Sequence, residues 1–260
     1  MRGSPALVAV LALVLGLAGC DRNTPDAARP LLVLAASDLA PAFEELVPAF
    51  EARTGQPVDV VLGSTGNLAS QIRHGAPADL FFAADEAFLD DLVERGRIDP
   101  ETRRLYAVGR IVLVAPPGRP PPERLQELTG LPSVAIANPE HAPYGRAARQ
   151  ALESAGVWEA VQARLVFGEN IAHTLRFVET GNVDAAIVAL SLVEGRHPYR
   201  LVDAAHHQPL VQAAGVTAGS RNPRAAREFL DFVLSREGQV LLGRYGFEPP
   251  PEHAATGGAR

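Results

Sequence analysis

An α/β fold built from mostly parallel sheets is predicted by three features: short apolar runs, helical periods between them, and the regular spacing at which the two alternate. "LLVLAA" (31–36) reads as a buried strand. "LAPAFEELVPAFEARTG" (39–55) reads as a helix with Leu39, Phe43, Leu46, Val47 and Phe50 on its apolar face and Gly55 as its stop. "VDVVLG" (58–63) is the next strand, "NLASQIRHG" the next helix and "ADLFFAA" (78–84) a third strand. "DEAFLDDLVERGRI" follows as a helix whose acidic run is a solvated face. The rhythm continues through strands at 110–116, 133–139, 164–169, 185–190 and 210–218, with helices at 144–156, 171–181 and 223–246. So many units exceed one small sheet, and two lobes with a ligand cleft between them suit the count.

The 260 residues are 47% hydrophobic and 21% charged, the balance of an ordinary globular chain with apolar material for two modest cores. The formal charge is −6, and every basic residue is arginine. A nucleic-acid binder would show a basic excess instead. The Pro-rich stretch at 116–122 reads as a surface turn.

The first twenty residues, "MRGSPALVAVLALVLGLAGC", pair a positive start with an apolar run from Ala6 to Ala18, which is short for a membrane span and suits an export signal. The run ends in Leu17-Ala18-Gly19-Cys20, which resembles the lipobox of bacterial lipoproteins and would make Cys20 the lipid-modified first residue after removal of 1–19. Cys20 is the only cysteine, so no disulfide can form within the chain. Residues 20–30 turn polar and turn-forming, as a tether should be.

In parallel α/β sheets, ligands sit where strand ends lead into helix N-termini, whose unpaired N–H groups and partial positive charge attract anions. Four such loops stand out: Ala36-Ser37-Asp38, Gly63-Ser64-Thr65-Gly66, "EHAPYG" after the 133–139 strand, and Glu169-Asn170-Ile171. Taken alone, "GSTG" is a helix cap in which Thr65 or Asn67 serves its own helix. Beside three other donor loops it becomes one wall of an oxyanion cradle. Catalytic patterns are missing from the sequence: there is no G-x-S-x-G elbow, no H-E-x-x-H, and no lysine for a phosphate loop. Of the seven histidines only His206-His207 cluster, in a segment that reads as a surface loop.

These loops, their order and the lipobox together resemble the periplasmic molybdate-binding proteins of ABC importers, from about residue 31 to 248. The resemblance rests on "AASDLAPAFEEL", "GSTGNLASQIRHGAPADLFFAADE", "ANPEHAPYGRAARQAL", "FGENIAHTL", "AAIVALS" and "RYGF". It implies a two-lobed binding-protein fold of type II, with lobe 1 at 31–106 plus 210–257 and lobe 2 at 107–209. It implies no catalysis and no cofactor. The ligand would be molybdate or tungstate, held by Ser37, Thr65 and the N–H of Asp38 from the first lobe and by Tyr144 and the N–H of Ile171 from the second. These groups would bind the oxygens of the anion without coordinating the metal. Roughly five to seven hydrogen bonds to a charged group, each worth about 1.5–3 kcal/mol, offset desolvation and leave micromolar to nanomolar binding.

Two positions depart from the family pattern. Where one branch places a tyrosine after the last strand of the second lobe, this chain has Ala189, and Tyr144 in the "APYG" loop matches another branch. Asp38 places a carboxyl group beside the dianion, so its side chain is expected to face away and cap the helix from 39. A cage of donors alone would disfavour protonated phosphate. The implied setting is a monomer, lipid-anchored through Cys20 on the periplasmic side of the cytoplasmic membrane, serving a permease and its ATPase. The alternatives are a binder of another oxyanion such as sulfate, a sensory domain, and an extracytoplasmic serine hydrolase using Ser37 or Ser64.

Overall fold

Ten strands and nine helices alternate along residues 29–251, the part of the chain that the computed structural model describes. The export signal, Cys20 and most of the tether lie outside those residues. In chain order the first sheet takes β1 (Leu31–Ala36), α1 (Ala40–Thr54), β2 (Val58–Gly63), α2 (Thr65–Arg73), β3 (Leu80–Ala83), α3 (Glu86–Glu94) and β4 (Arg104–Gly109). The chain then crosses to β5 (Ile111–Val114), β6 (Val134–Ala137), α4 (Pro143–Ser154), α5 (Trp158–Val161), β7 (Leu165–Gly168), α6 (Ile171–Glu179), β8 (Ala185–Ala189), α7 (Leu190–Val193) and β9 (Arg200–Leu201). It returns as β10 (Leu210–Val216), α8 (Pro223–Leu234) and α9 (Arg236–Arg244).

The first sheet has the order β2-β1-β3-β10-β4 and the second β7-β6-β8-β5-β9. In each, three neighbouring strands are parallel, the fourth (β10 or β5) runs against them, and the edge strand (β4 or β9) pairs antiparallel with that fourth strand. The sheets are therefore mixed: a strand arriving from the other lobe enters from the opposite direction, which the apolar pattern of "LVQAAGVTA" did not reveal.

Both faces of the first sheet are covered, as near-continuous apolar strands require. Val33, Ala35, Leu80 and Phe82 join one cluster, in which Phe43, Phe82 and Phe229 meet edge to face. Leu34, Phe81 and Ala83 join another with Leu68, Leu89 and Leu92. The second lobe has one large core, which also takes in Ala36 and Ala84 of the first, so the lobes are packed together.

The expected helix at 223–246 is two helices. Ser235 leaves helical geometry, and its Oγ accepts the Gly238 N–H at 3.2 Å, starting α9 afresh. Among the described residues, no helix is long and apolar enough to cross a membrane.

Candidate functional site

The strand ends that lead into helices face each other across the seam between the lobes. β1 ends in a single 3-10 turn, Ser37–Leu39, before α1. Opposite it, β7 leads through Asn170 into α6, and Asn170 caps that helix by accepting the His173 N–H at 2.9 Å. Ser37 joins the two ends: its hydroxyl donates to Asn170 Oδ1 at 3.2 Å and accepts the Ala172 N–H at 3.4 Å. One step along the seam, Ser64 Oγ lies 2.9 Å from His141 Nδ1, and the Gly66 N–H donates to the His141 carbonyl at 2.8 Å. A Cβ at residue 66 would stand 2.7 Å from that carbonyl oxygen, so glycine permits the approach. Arg146 of α4 pairs with Asp85 and lies over the Phe88 ring at 5.0 Å. These contacts hold the two lobes together across the seam.

Inside the seam is a small cavity of about 10 Å³. Ser37, Asp38, Thr65, Tyr144 and Ile171, the five residues singled out in the sequence, all line it together with Ser64. No arginine or histidine side chain does. The arrangement suits an anion met by neutral hydroxyl and N–H groups at the starts of α2 and α6. Thr65 Oγ1 accepts the Ala84 N–H at 3.0 Å, which leaves its own proton free to donate. Ser64 occupies the cap position of α2 with no side-chain cap bond, so the plain capping role weighed for this loop is not what its side chains perform.

Asp38 departs from its expected orientation. It caps neither the 3-10 turn nor α1. Its carboxyl group is fully buried, and Oδ2 accepts from Tyr144 Oη at 2.9 Å and from Gln212 Nε2 at 2.8 Å. Oδ1 has no hydrogen-bond partner. Burial pushes its pKa up from 3.8 to about 6, and the bonds from Gln212 and Tyr144 recover only part of the loss. A wall with a carboxyl group in it is not made of donors alone, so exclusion of protonated phosphate no longer follows from the lining.

Gln212 and Tyr106 complete this buried network and were not anticipated. Tyr106 Oη donates to Gln212 Oε1 at 2.5 Å, and Gln212 Nε2 reaches Tyr144 Oη at 3.0 Å. Both residues sit on strands beside the crossings; Tyr106 lies before the strand read at 110–116, and Gln212 was read only as part of an apolar run, where a glutamine in "LVQAAGV" was the available signal, because a buried amide requires partners. Gly109 makes room for them: a Cβ there would overlap Tyr144 Oη and stand 2.8 Å from Gln212 Nε2.

The histidine pair separates. His206 Nδ1 lies 2.9 Å from Ser154 Oγ, whereas His207 is buried with Nδ1 against the Gln208 carbonyl at 2.8 Å. Among the described residues, no group of three His, Cys, Asp or Glu side chains is placed to hold a metal ion.

Comparison with known proteins agrees with this geometry. The family model of the bacterial extracellular solute-binding proteins matches residues 31–248. The molybdate-binding protein ModA of Rhodobacter capsulatus is 33% identical over 240 residues, covering 91% of this chain and 93% of that one. The putative ABC transporter substrate-binding lipoprotein YvgL of Bacillus subtilis is 31% identical over 250 residues, covering 92% and 96%. The solved structure of the Azotobacter vinelandii periplasmic molybdate-binding protein superposes with a TM-score of 0.80 at 28% identity, covering 85% of this chain and 99% of that one. The chain is therefore a ligand-binding protein and not an enzyme, and it belongs to the bacterial extracellular solute-binding protein family.

Proposed function

We propose that the protein captures molybdate, and tungstate with it, outside the cytoplasmic membrane for import by an ABC permease and its ATPase. The observation that carries this reading is the convergence of Ser37, Thr65, Tyr144 and the start of α6 at Ile171 on one buried cavity without a cationic side chain. Neutral donors at helix starts hold a dianion without the salt-bridge partner that would bind any anion of that charge. Relatives at 31–33% identity, named as molybdate-binding and as a lipoprotein of ABC transport, support the ligand class and the setting. In this reading Thr65 donates its free proton, and Ser37 turns from Asn170 to the anion. The first-turn N–H groups at Asp38 and Ile171 add to them.

The clamp comprises lobe 1, 31–106 with 210–257, and lobe 2, 107–209, and works as a monomer tethered through lipidated Cys20. Ligand bridging both lobes favours the closed form, which a permease would recognise. Isothermal titration with molybdate, tungstate, sulfate and phosphate tests the proposal. Binding of molybdate and tungstate at micromolar affinity or better, ~8–12 kcal/mol, is expected, with sulfate at least tenfold weaker. Clear binding of sulfate with no heat from molybdate would refute the choice of ligand while sparing the fold.

A further inference from the structure

The wall of the cavity contains one group that opposes a dianion. Asp38 lies between Ser37 and the lobe-2 residue Tyr144, is fully buried, and keeps Oδ1 without a partner while Oδ2 is saturated by Tyr144 and Gln212. An ionised carboxylate at that place would repel the ligand through a medium with little water to screen it. A carboxylic acid there would instead donate from Oδ1, the atom that has nothing else to bind.

We propose that Asp38 is a specificity-determining residue that enters the complex as the neutral acid, so that the site takes up one proton from solvent with each oxyanion dianion. The inference rests on the oxyanion reading given above. The candidate donors meet oxygens of the anion, and none of them is a metal ligand.

The surroundings leave Asp38 as the group that titrates. Tyr144 from α4 and Tyr106 from β4 face it, and burial together with the charge of Asp38 holds both phenols well above their ordinary value. Gln212 of β10 and Ser191 of α7, which donates to the Asp38 carbonyl at 2.8 Å, do not ionise in this range. The charged groups on the packed elements are engaged elsewhere. Glu44 and Glu45 of α1 are exposed and pair with Arg196 and Arg244. Arg146 of α4 pairs with Asp85, and Arg104 of β4 is exposed and donates to the carbonyls of residues 101 and 103. His173 and Arg176 of α6 are exposed, and His141 is bonded to Ser64. The free carboxyl group, raised to about 6, is mostly ionised at neutral pH. An adjacent dianion raises it further.

The sign follows. Below pH 6 the acid is already protonated and binding is indifferent to pH; above it each complex must gain a proton, and affinity falls as pH rises, by up to tenfold per unit. The test is calorimetric titration of the whole protein with sodium molybdate, and separately sodium tungstate, in pairs of buffers with different ionisation enthalpies from pH 6 to 8.5. Uptake approaching one proton per anion at pH 7.5 is expected, with a Kd that rises across the range. Asp38→Asn should abolish the uptake, flatten the profile and bind more tightly than the parent at pH 8 by tenfold or more. Tight binding by the unmodified protein with no proton uptake would overturn the inference and leave the molybdate reading intact, and so would an Asn variant that retains the uptake. No binding of either anion would defeat both.

Discussion

Asp38 and Asp79 are both buried carboxylates of the first lobe, placed at opposite ends of the same parallel strands. Asp79, just before β3, is saturated: the Leu32 N–H reaches Oδ2 at 2.9 Å, and the Ser220 hydroxyl and the N–H groups of Arg221 and Asn222 converge on Oδ1. Burial by itself would raise its pKa, but these donors outweigh it and hold the carboxyl below its ordinary value. Asp38 has two donors on one oxygen and none on the other, and its pKa rises. Both side chains are closed to solvent, but Asp38 lies deep between the lobes while Asp79 lies nearer the surface with Arg29 3.7 Å from Oδ2, so depth and partners together give opposite electrostatics. The satisfied carboxylate ties β1 to the start of α8; the unsatisfied one lines the ligand cavity.

The comparison breaks most visibly at Asp79. Asp79→Ala leaves four donors without their acceptor, each costing about 1–3 kcal/mol where water cannot reach it. A loss of at least ~3 kcal/mol in urea denaturation is expected, with the molybdate affinity of the folded fraction unchanged within twofold.

Asp38→Asn should act in the reverse sense on the free protein. The native pKa of about 6 lies above the unfolded value of 3.8, so the stability this group contributes is full below pH 3.8 and lost as pH rises through 6. The parent should therefore weaken by roughly 2.4 kcal/mol between pH 4 and 8 relative to the Asn variant. Parallel denaturation curves across that range would erase the distinction between the two aspartates.

Thr65 combines both cases in one hydroxyl, with its acceptor committed to Ala84 and its donor open. Thr65→Val should weaken molybdate binding by roughly 1.5–3 kcal/mol and also cost about 1–2 kcal/mol of stability, because the Ala84 N–H loses its partner. A Val variant that binds normally would reduce the hydroxyl to a structural brace.

Gly109→Ala sharpens the comparison most gently. The added methyl displaces Tyr144 and Gln212 from Oδ2, at a cost of about 1–3 kcal/mol in packing. With its donors pulled away, Asp38 should titrate at a higher pH than in the parent, which carboxyl signals in an isotope-labelled sample would report.

What could be read in advance follows the range of the interactions. β1 and β2 were legible to the residue, since an apolar run between turn-formers is a local signal. The four loops were legible as strand-to-helix turns for the same reason, and all five singled-out residues line one cavity. The direction of the Asp38 side chain was not, because Gln212 lies 174 positions away and Tyr144 106. A carboxyl group next to a helix start carries the local signature of a cap, and only tertiary partners drew it elsewhere. The break at Ser235 was hidden by apolar spacing that stays in phase across it, and β4 by a run that continues into β5.

Gly66 has a use that none of the binding residues offers. Because its amide rests directly on the His141 carbonyl, a methyl group at this position acts as a doorstop between the lobes. Side chains of graded size at residue 66 would set how far the jaws stay ajar. The closed fraction would become an adjustable quantity, and a pair of dyes, one on each lobe, would turn the protein into a sensor with a selectable working range.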